Sequence, residues 1–358
     1  MTTIKDIAEY TGVSATTVSN VIHGRKNRVS DETVRRIEEA IDKLGYVPNL
    51  FARSLVSSSS KVVALINFIP TEADAFFVDE SFQMSFLSTI ETILRKNGYF
   101  LMYRRVENIE DLKFFLMNWN VDGFFVSGTC DPEFVDEMRS VKTPVVFIDS
   151  YVEGDFTDVG HDDSEGGYLA TTHLIERGHK RIAFTAPTVQ DGRYMEQRYI
   201  GYRNALAAAG MEADKNLVFE SGVDIDSCRN TAEKILSTGD VTGVVATTDI
   251  MAAGLMAAFI DMGKSIPDDI SIIGFDDTPL SRMLTPRLTT IRQDMRQKAQ
   301  VATEYMVDIM NQAHGGIVIN SKDFARRIND QGIKMTTRAN RIILPVELVV
   351  RDSVKDIK

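Results

Sequence analysis

From Lys61 onward, short apolar runs alternate with helical segments, and this alternation limits the possible folds of the chain more than any other feature. Strands that are buried on both faces read as continuous apolar runs, and a helix after each strand is typical of a parallel sheet. The pattern therefore predicts doubly wound α/β layers. It occurs in two sets that meet near Asp158, so we expect two lobes with a cleft between them. The runs are VVALINFI, YFLMY, VDGFFVSG, PVVFIDS, RIAFTAP, LVFE, GVVATT and ISIIGFDD, and a final strand is predicted for 342–350.

Composition excludes several classes of protein. Of the 358 residues, 44% are hydrophobic and 25% are charged, which is typical of folded globular domains rather than of disordered chains. No stretch approaches the roughly 18 uninterrupted apolar residues of a membrane span. The N-terminal MTTIKDIAEY lacks the basic start and apolar run of a secretory signal, and two cysteines cannot form a disulfide framework. We therefore expect a cytoplasmic protein of more than one domain that does not contact a membrane.

Charge is distributed unevenly along the chain. The net charge is −11, yet residues 1–61 hold nine Lys/Arg and only seven Asp/Glu. No acidic residue lies between Glu9 and Asp31, although this stretch contains three basic residues. An acidic body that carries a small basic segment is consistent with a local contact to DNA.

Three short helices are predicted within the first 45 residues. Thr3 and Ser30 are placed to cap the first and the third, because a hydroxyl oxygen can accept a hydrogen bond from a free N–H at a helix start. Gly12 and Gly45 would end the same two helices. The helices are expected at about 4–10, 14–22 and 31–44.

Residues 4–23, IKDIAEYTGVSATTVSNVIH, have the layout of a helix-turn-helix. Ala8 is small where two helices would cross, and Gly12 lies at the turn, where a positive φ is easiest for glycine. Short hydroxyl and amide side chains at the start of the second helix can reach phosphates and base edges. A small helical cap with the same apolar spacing is the alternative interpretation. The expected buried contacts are Ile7, Val13, Val18 and Val21, and the expected outward residues are Ala15, Thr16, Thr17, Ser19 and Asn20.

Residues 1–57 resemble the DNA-binding headpiece of the lactose-repressor (LacI/GalR-type) family of bacterial transcription regulators. The motifs that carry the resemblance are TIKDIAEYTGVSATTVS, RVSDETVRRIEEAIDKLGYVPN and ARSL, followed by LIERGHKRIAF, GFDDTPLSRMLTPRLTTIRQD and LPVELVVRDSV. The resemblance implies a helix-turn-helix headpiece joined to a two-lobed core like that of periplasmic binding proteins. The expected divisions are a headpiece at 1–57 with a hinge helix at 49–56 and a core at 61–358, with lobe 1 at about 61–158 and 291–315 and lobe 2 at about 159–290 and 316–358.

The hinge is the second piece that the resemblance identifies. Residues 49–55 are far fewer than the ~12–15 that an isolated helix needs, so something must stabilise this helix when it forms. In the family, two hinge helices of a dimer fold in the minor groove, and a leucine at the position of Leu55 wedges a base step. By resemblance, the DNA-binding residues are Thr3, Ser14, Ala15, Thr16, Thr17, Ser19, Asn20, His23, Arg28, Tyr46, Asn49, Arg53 and Leu55.

The cleft is the expected site of a small-molecule effector. In open α/β sheets, ligands bind beyond the carboxyl ends of the strands, and several acidic or hydroxyl residues stand at those ends here. A carboxylate and a guanidinium that face one cavity supply acceptors and donors together, which suits a sugar or sugar derivative. For each aspartate, a helix N-cap is the alternative role. By resemblance, Asp149, Arg198 and Asp276 are the effector contacts. Thr248 is added because it stands at a strand end, where many sugar-binding relatives have asparagine. Phe76, Phe77 or Phe82 is expected to supply stacking from the other lobe.

No set of nucleophile, base and orienting residue emerges from the sequence, and the five histidines have no metal-ligand spacing, so neither catalysis, a metal nor a cofactor is expected. The prediction is a homodimeric repressor that binds operator DNA and responds to a carbohydrate effector. A regulator controlled mainly by a partner protein and a solute-binding protein are the alternatives. Residues 315–341 carry a local excess of basic side chains and are interpreted as a solvated surface insertion, with a contact surface for an acidic partner as the alternative.

Overall fold

The computed structural model describes residues 2–22, 24–25, 27, 29–46, 59–69, 80–128, 131–152, 154–189, 193–313, 321–336 and 340–357. The chain divides into two compact units, Met1–Ser60 and Lys61–Lys358. Within the described ranges, no helix combines the length and the apolar character that a bilayer crossing requires.

The N-terminal unit is a three-helix domain, as the sequence predicts. Thr3 caps the first helix by a reciprocal pair of hydrogen bonds with Asp6, and Gly12 ends it with a φ of 64°. Ser30 caps the third helix and Gly45 ends it with a φ of 61°. The helices are α1 (Ile4–Thr11), α2 (Ala15–Ile22) and α3 (Asp31–Leu44). Their shared core contains Ile7, Ala8, Val18, Val21, Val34, Ile37 and Ala40.

The C-terminal unit alternates strands and helices along the chain. Its strands are β1 (Val62–Phe68), β2 (Phe100–Val106), β3 (Gly123–Gly128), β4 (Val145–Ile148), β5 (Thr157–His161), β6 (Ile182–Ala186), β7 (Val218–Glu220), β8 (Gly243–Ala246), β9 (Ser271–Asp276), β10 (Thr289–Gln293), β11 (Lys334–Thr336), β12 (Arg341–Leu344) and β13 (Val346–Val349). Its helices are α4 (Glu80–Lys96), α5 (Ile109–Asn118), α6 (Pro132–Arg139), α7 (Asp163–Glu176), α8 (Tyr194–Ala208), α9 (Ile225–Thr238), α10 (Asp249–Asp261), α11 (Pro279–Met283), α12 (Met295–Ala313) and α13 (Ser321–Asn329).

The strands form two sheets, one in each lobe. Lobe 1 has the strand order β11-β12-β5-β4-β3-β1-β2, and lobe 2 has the order β13-β10-β9-β8-β6-β7. All neighbouring strands run parallel except the edge strands β11 and β13, which are antiparallel to β12 and β10. Apolar clusters cover both faces of each sheet, as expected for parallel sheets.

The lobe boundaries differ from those expected. The chain passes between the lobes after β5, after β10 and between β12 and β13. Consequently 157–161 and 334–344 belong to lobe 1, and the whole of 289–293 belongs to lobe 2. The expected final strand is in fact two strands, because Pro345 has no N–H to continue a ladder and the chain changes sheets at that residue.

The basic segment before β12 is only partly a solvated insertion. Helix α13 buries Phe324 and Ile328 in the same apolar cluster as α12, and Ile333 follows them into it. On the opposite face Arg326 is exposed, and Arg327 forms a 2.9 Å ion pair with a glutamate of α12. This segment therefore packs on lobe 1 and extends its sheet by the strand β11.

Candidate DNA-binding surface and effector cleft

Helix α2 presents its first turn to the outside of the headpiece. Val18 and Val21 are buried and hold the helix on the three-helix core, whereas Ala15 and Thr16 are exposed. The Ser14 hydroxyl accepts a hydrogen bond from the Thr17 N–H at 3.1 Å and so caps the helix. The exposed first turn has the position that a recognition helix needs to reach base edges. Thr17, Ser19 and Asn20 are half-buried rather than fully outward.

The remaining predicted DNA contacts fall into two groups. Thr3 is exposed at the start of α1, and Tyr46 is half-buried against the headpiece core. Arg25 is exposed just after α2, and its N–H donates to the Asn20 carbonyl at 2.8 Å. The other predicted contacts lie outside the described residues: His23, Arg28, Asn49, Arg53 and Leu55, together with the rest of the expected hinge helix.

Asp149 follows strand β4 at the end of the sheet that faces lobe 2. Its backbone is left-handed, with a φ of 53°, and its N–H donates to Val159 of the neighbouring strand. The Lys298 ammonium, which is fully buried on α12, forms a close ion pair with its carboxylate. Burying an ammonium is costly unless a carboxylate is nearby, so this pair fixes the first turn of α12 to the end of β4.

Arg198 is buried in lobe 2 and is fully engaged by its surroundings. Its Nε donates to Asp163 at 2.9 Å, one terminal nitrogen donates to the Thr247 carbonyl, and the guanidinium lies 3.6 Å from the centre of the Phe275 ring. Close packing of α7 on α8 makes this possible. A Cβ at Gly167 would lie 2.0 Å from the Arg198 carbonyl oxygen, so only glycine allows the two helices to approach.

The other predicted effector residues have different surroundings. Asp276 ends β9 with a φ of 115° and accepts a hydrogen bond from the Gln293 amide at 2.7 Å. The Thr248 hydroxyl accepts a hydrogen bond from the Met251 N–H at 3.2 Å. Thr248 is therefore the N-cap of α10. Phe77 lies outside the described residues. Thus Asp149, Arg198 and Asp276 stand at the cleft ends of their lobes, while their contact with an effector stays a prediction.

A buried polar chain connects the two lobes beside these residues. The Tyr151 hydroxyl of lobe 1 donates to Asp163 of lobe 2 at 2.6 Å. The Arg341 guanidinium lies 3.4 Å from the centre of the Tyr151 ring and pairs with Asp158 at 3.0 Å. Burial and the nearby Asp163 charge raise the pKa of Tyr151, so its hydroxyl remains a donor. Burial likewise raises the pKa of Asp158 and Asp163, against the effect of their arginine partners.

His161 ends β5 at the first crossing between the lobes and is fully buried. Burial lowers its pKa, and so do the charges of Lys298 in lobe 1 and Arg198 in lobe 2. Gln293 and the Asp294 backbone lie close to the ring. Neither ring nitrogen makes a hydrogen bond of normal geometry with the described residues, and the contacts to Gln293 and Asp294 only partly oppose the lowered pKa.

Several residues of this cluster escape the sequence analysis. His161 ends a strand and Asp163 begins the next helix, so the rule that leads to Asp149 would also have led to them. Lys298 lies inside a helix with no motif, and only the packing of α12 on β4 brings it to the site. Among the described residues, no group of three or more histidine, cysteine, aspartate or glutamate side chains could hold a metal ion. His179 has a packing role, because its ring bonds to Thr242 at 3.0 Å and to the Lys355 carbonyl at 3.2 Å.

Comparison with known proteins gives concordant matches for both units. The model of bacterial regulatory proteins of the lacI family matches residues 3–49, and the model of the periplasmic binding protein-like domain matches residues 171–320. The HTH-type transcriptional repressor PurR of Vibrio atlanticus is 32% identical over 347 residues, which is 95% of this chain and 98% of the relative. Catabolite control protein A of Priestia megaterium is 32% identical over 316 residues, which is 86% of this chain and 92% of the relative.

Solved structures agree over almost the whole length. The complex of the transcriptional regulator CelR with cellobiose has a TM-score of 0.69 at 26% identity and covers 99% of this chain and 100% of its own. The lac repressor dimer bound to operator and the anti-inducer ONPF has a TM-score of 0.80 at 24% identity, with 99% of both chains covered. At 24% identity, the similarity to the lac repressor dimer shows a shared fold.

Proposed function

Because this chain belongs to the lacI family of bacterial regulatory proteins, we propose that it is a cytoplasmic repressor that binds a pseudo-palindromic operator as a homodimer and responds to a small molecule in the cleft of its core. DNA binding and transcription regulation follow from the family. Repression, the dimer and the effector are the proposed part.

The exposed first turn of α2 is the observation that supports operator reading most directly. Ala15 and Thr16 are exposed there, above the buried Val18 and Val21. A methyl group can contact a thymine methyl in the major groove, and an amide such as that of Asn20 can pair bidentately with adenine. These side chains suit direct readout rather than contact with phosphate alone.

A footprint and a gel shift on the DNA upstream of the gene test this proposal. We expect a symmetric protected site with half-sites about one helical turn (~10 bp) apart, because a two-fold dimer presents two recognition helices. Asn20→Ala should change the base preference at one position in each half-site by about 1–3 kcal/mol, whereas Arg25→Ala should weaken all sites evenly. Protection of a single asymmetric site would contradict the dimeric operator.

Exposed apolar side chains of the core support the homodimer. Phe100, on the edge strand β2, is 56% exposed, and Ile225 and Met283, in lobe 2, are 82% and 77% exposed. Large apolar side chains that are exposed on a subunit surface are candidates for a contact between two copies of the chain. Sedimentation equilibrium should therefore give a dimer for the wild type and a shift toward monomer for Ile225→Asp combined with Met283→Asp. A wild-type monomer at the concentration that binds operator would contradict this part of the proposal.

A regulator controlled by a partner protein is the second candidate. One observation favours it: Arg198 and Lys298 already have carboxylate partners within the chain, so neither cation needs a ligand as its counter-charge. Gel shifts with a panel of small molecules separate the two candidates. A change in operator affinity with a small molecule alone supports the first candidate, and dependence on an added protein fraction supports the second.

A further inference from the structure

The first residue of the core, Lys61, has a strained backbone. Its φ is 58°, in the left-handed region that residues with a Cβ seldom adopt. A conformation of this kind persists only where the surrounding structure enforces it, and it is often found at a functional position. Lys61 directly follows four consecutive serines, 57–60, which connect the headpiece to the core along the sequence. The strain therefore lies where the chain from the headpiece enters lobe 1.

Three hydrogen bonds hold the chain at this point, and we call them the entry anchor. The Asp122 carboxylate accepts one from the Lys61 N–H at 3.2 Å, and the Phe100 N–H donates another to the Lys61 carbonyl at 2.8 Å. The Asp122 N–H donates the third to the Val62 carbonyl at 2.7 Å. Phe100 begins β2 and Asp122 precedes β3, and these two strands are the neighbours of β1 in the sheet. The entry anchor thus ties Lys61 to the strands on both sides of β1.

Two side chains also hold Lys61 in place. Asp122 is 7% exposed, although aspartate is usually on the surface, and a buried carboxylate is unfavourable unless it accepts hydrogen bonds. Its bond to the Lys61 N–H lies outside the ladder of β1, which begins at Val62, so β1 does not need this bond in order to pair. The Lys61 ammonium lies 4.4 Å from the centre of the buried Tyr99 ring. Both the backbone and the side chain of Lys61 are therefore fixed to lobe 1.

We propose that Asp122 is a positioning residue for operator binding, which fixes the origin of the headpiece linker on lobe 1 and so limits the half-site spacing that the dimer accepts. Two headpieces on linkers with fixed origins reach two half-sites together only at matching separations, because the effective concentration of the second headpiece depends on the length and stiffness of its linker. A loosened origin widens the range of accepted spacings. This inference rests on the proposed dimer and symmetric operator, and it adds the residue that determines the spacing.

The test is a gel shift of the full-length protein on the footprinted operator and on derivatives with one or two base pairs inserted or removed between the half-sites. We expect wild type to bind the native spacing about tenfold more tightly than any derivative. Asp122→Ala removes the acceptor of the Lys61 N–H, and it should reduce this preference to about threefold or less. Asp122→Asn keeps an oxygen that can accept from that N–H and should retain the wild-type preference. Affinity for a single isolated half-site should be the same in all three proteins, because the headpiece has its own core.

Asp131→Ala is the matched control. The Asp131 carboxylate also accepts a hydrogen bond from a backbone N–H of lobe 1, that of Phe134 at 2.8 Å, but it follows β3, whereas Asp122 precedes that strand. This variant should keep the wild-type spacing preference. Circular dichroism should show both alanine variants folded at the assay temperature, and Asp122→Ser, whose side chain is one atom shorter than that of aspartate, replaces Asp122→Ala if that variant is unfolded.

The outcomes separate this inference from the proposed function. A symmetric wild-type footprint with the same spacing preference in wild type and Asp122→Ala would overturn the role of Asp122 alone. So would a wild type that binds all spacings equally, or equal losses of preference in Asp122→Ala and Asp131→Ala. A wild type without a symmetric footprint would defeat the proposed dimeric operator itself, and this inference with it.

Discussion

Arg198 serves the core of lobe 2 as well as the cleft. Its guanidinium bonds to Asp163, bonds to the Thr247 carbonyl and stacks on Phe275, and almost none of it is exposed. Such an arginine is both a candidate ligand group and the counter-charge of a buried carboxylate. A variant at this position therefore changes stability as well as the effector response.

We expect Arg198→Ala to lower the free energy of unfolding by about 3–5 kcal/mol, because it leaves the buried Asp163 carboxylate without its cation. Urea denaturation measures the effect. The double variant Arg198→Ala, Asp163→Asn should recover a large part of the loss. Arg287→Ala removes an exposed ion pair with Asp352 and should change stability far less. Equal losses for Arg198→Ala and Arg287→Ala would contradict the assigned role.

His161 should make the core less stable at acid pH. Its folded pKa lies well below the ordinary value of 6.5, so the unfolded chain binds a proton at this residue below pH 6.5 while the folded chain does not. Stability therefore falls as the pH drops through 6.5. Urea denaturation at both pH values should show a steeper loss for wild type than for His161→Phe. Parallel losses in the two proteins would indicate that His161 is protonated in the fold.

At the scale of elements, the sequence pattern predicts which segments become strands better than it predicts which sheet they join. Apolar runs such as those of β3 and β9 are unambiguous, because each is buried on both faces. The sheet that β10 joins, and the change of sheet at Pro345, depend on which lobe has a free sheet edge. The apolar pattern within a segment does not contain this information. The same limit applies to the cleft. Strand ends lead to Asp149 and Asp276, while Lys298 comes from tertiary packing alone.

The expected hinge element, at 49–56, lies outside the described residues and stays a prediction. A helix this short forms only when a partner stabilises it, and the proposed partner is a second hinge over a deformable base step. Leu55→Ala should therefore weaken specific operator binding at least tenfold and leave the salt-dependent, non-specific binding unchanged. Circular dichroism should show less helix gained on operator addition than in wild type. An unchanged operator affinity of the Leu55→Ala variant would contradict the hinge mechanism.

At the scale of the whole molecule, regulation requires that the two lobes have more than one arrangement and that the effector favours one of them. The bond from Tyr151 to Asp163 joins the lobes in the arrangement described above. It is a candidate for the contact that the effector reinforces.

Tyr151→Phe keeps the ring beneath Arg341 and removes only the hydroxyl that crosses between the lobes. We expect a loss of about 1 kcal/mol from the joined arrangement. If the effector binds that arrangement, its Kd should rise about fivefold. Calorimetry with the sugar that binds wild type measures this, and Tyr103→Phe, at the far edge of lobe 1, is the control. An unchanged Kd would mean that the cross-lobe bond has no part in effector binding.

The three passages of the chain between the lobes also determine the order in which the molecule is completed during synthesis. The headpiece emerges from the ribosome first and needs nothing beyond the first sixty residues for its own core. Lobe 1, however, lacks β12 until Leu344 has been made, and lobe 2 lacks β13 until Val349. A chain that ends prematurely thus carries an intact DNA-reading unit on two unfinished sheets whose open edges invite aggregation and proteolysis. Degradation of such fragments would remove DNA-binding units that no effector could control.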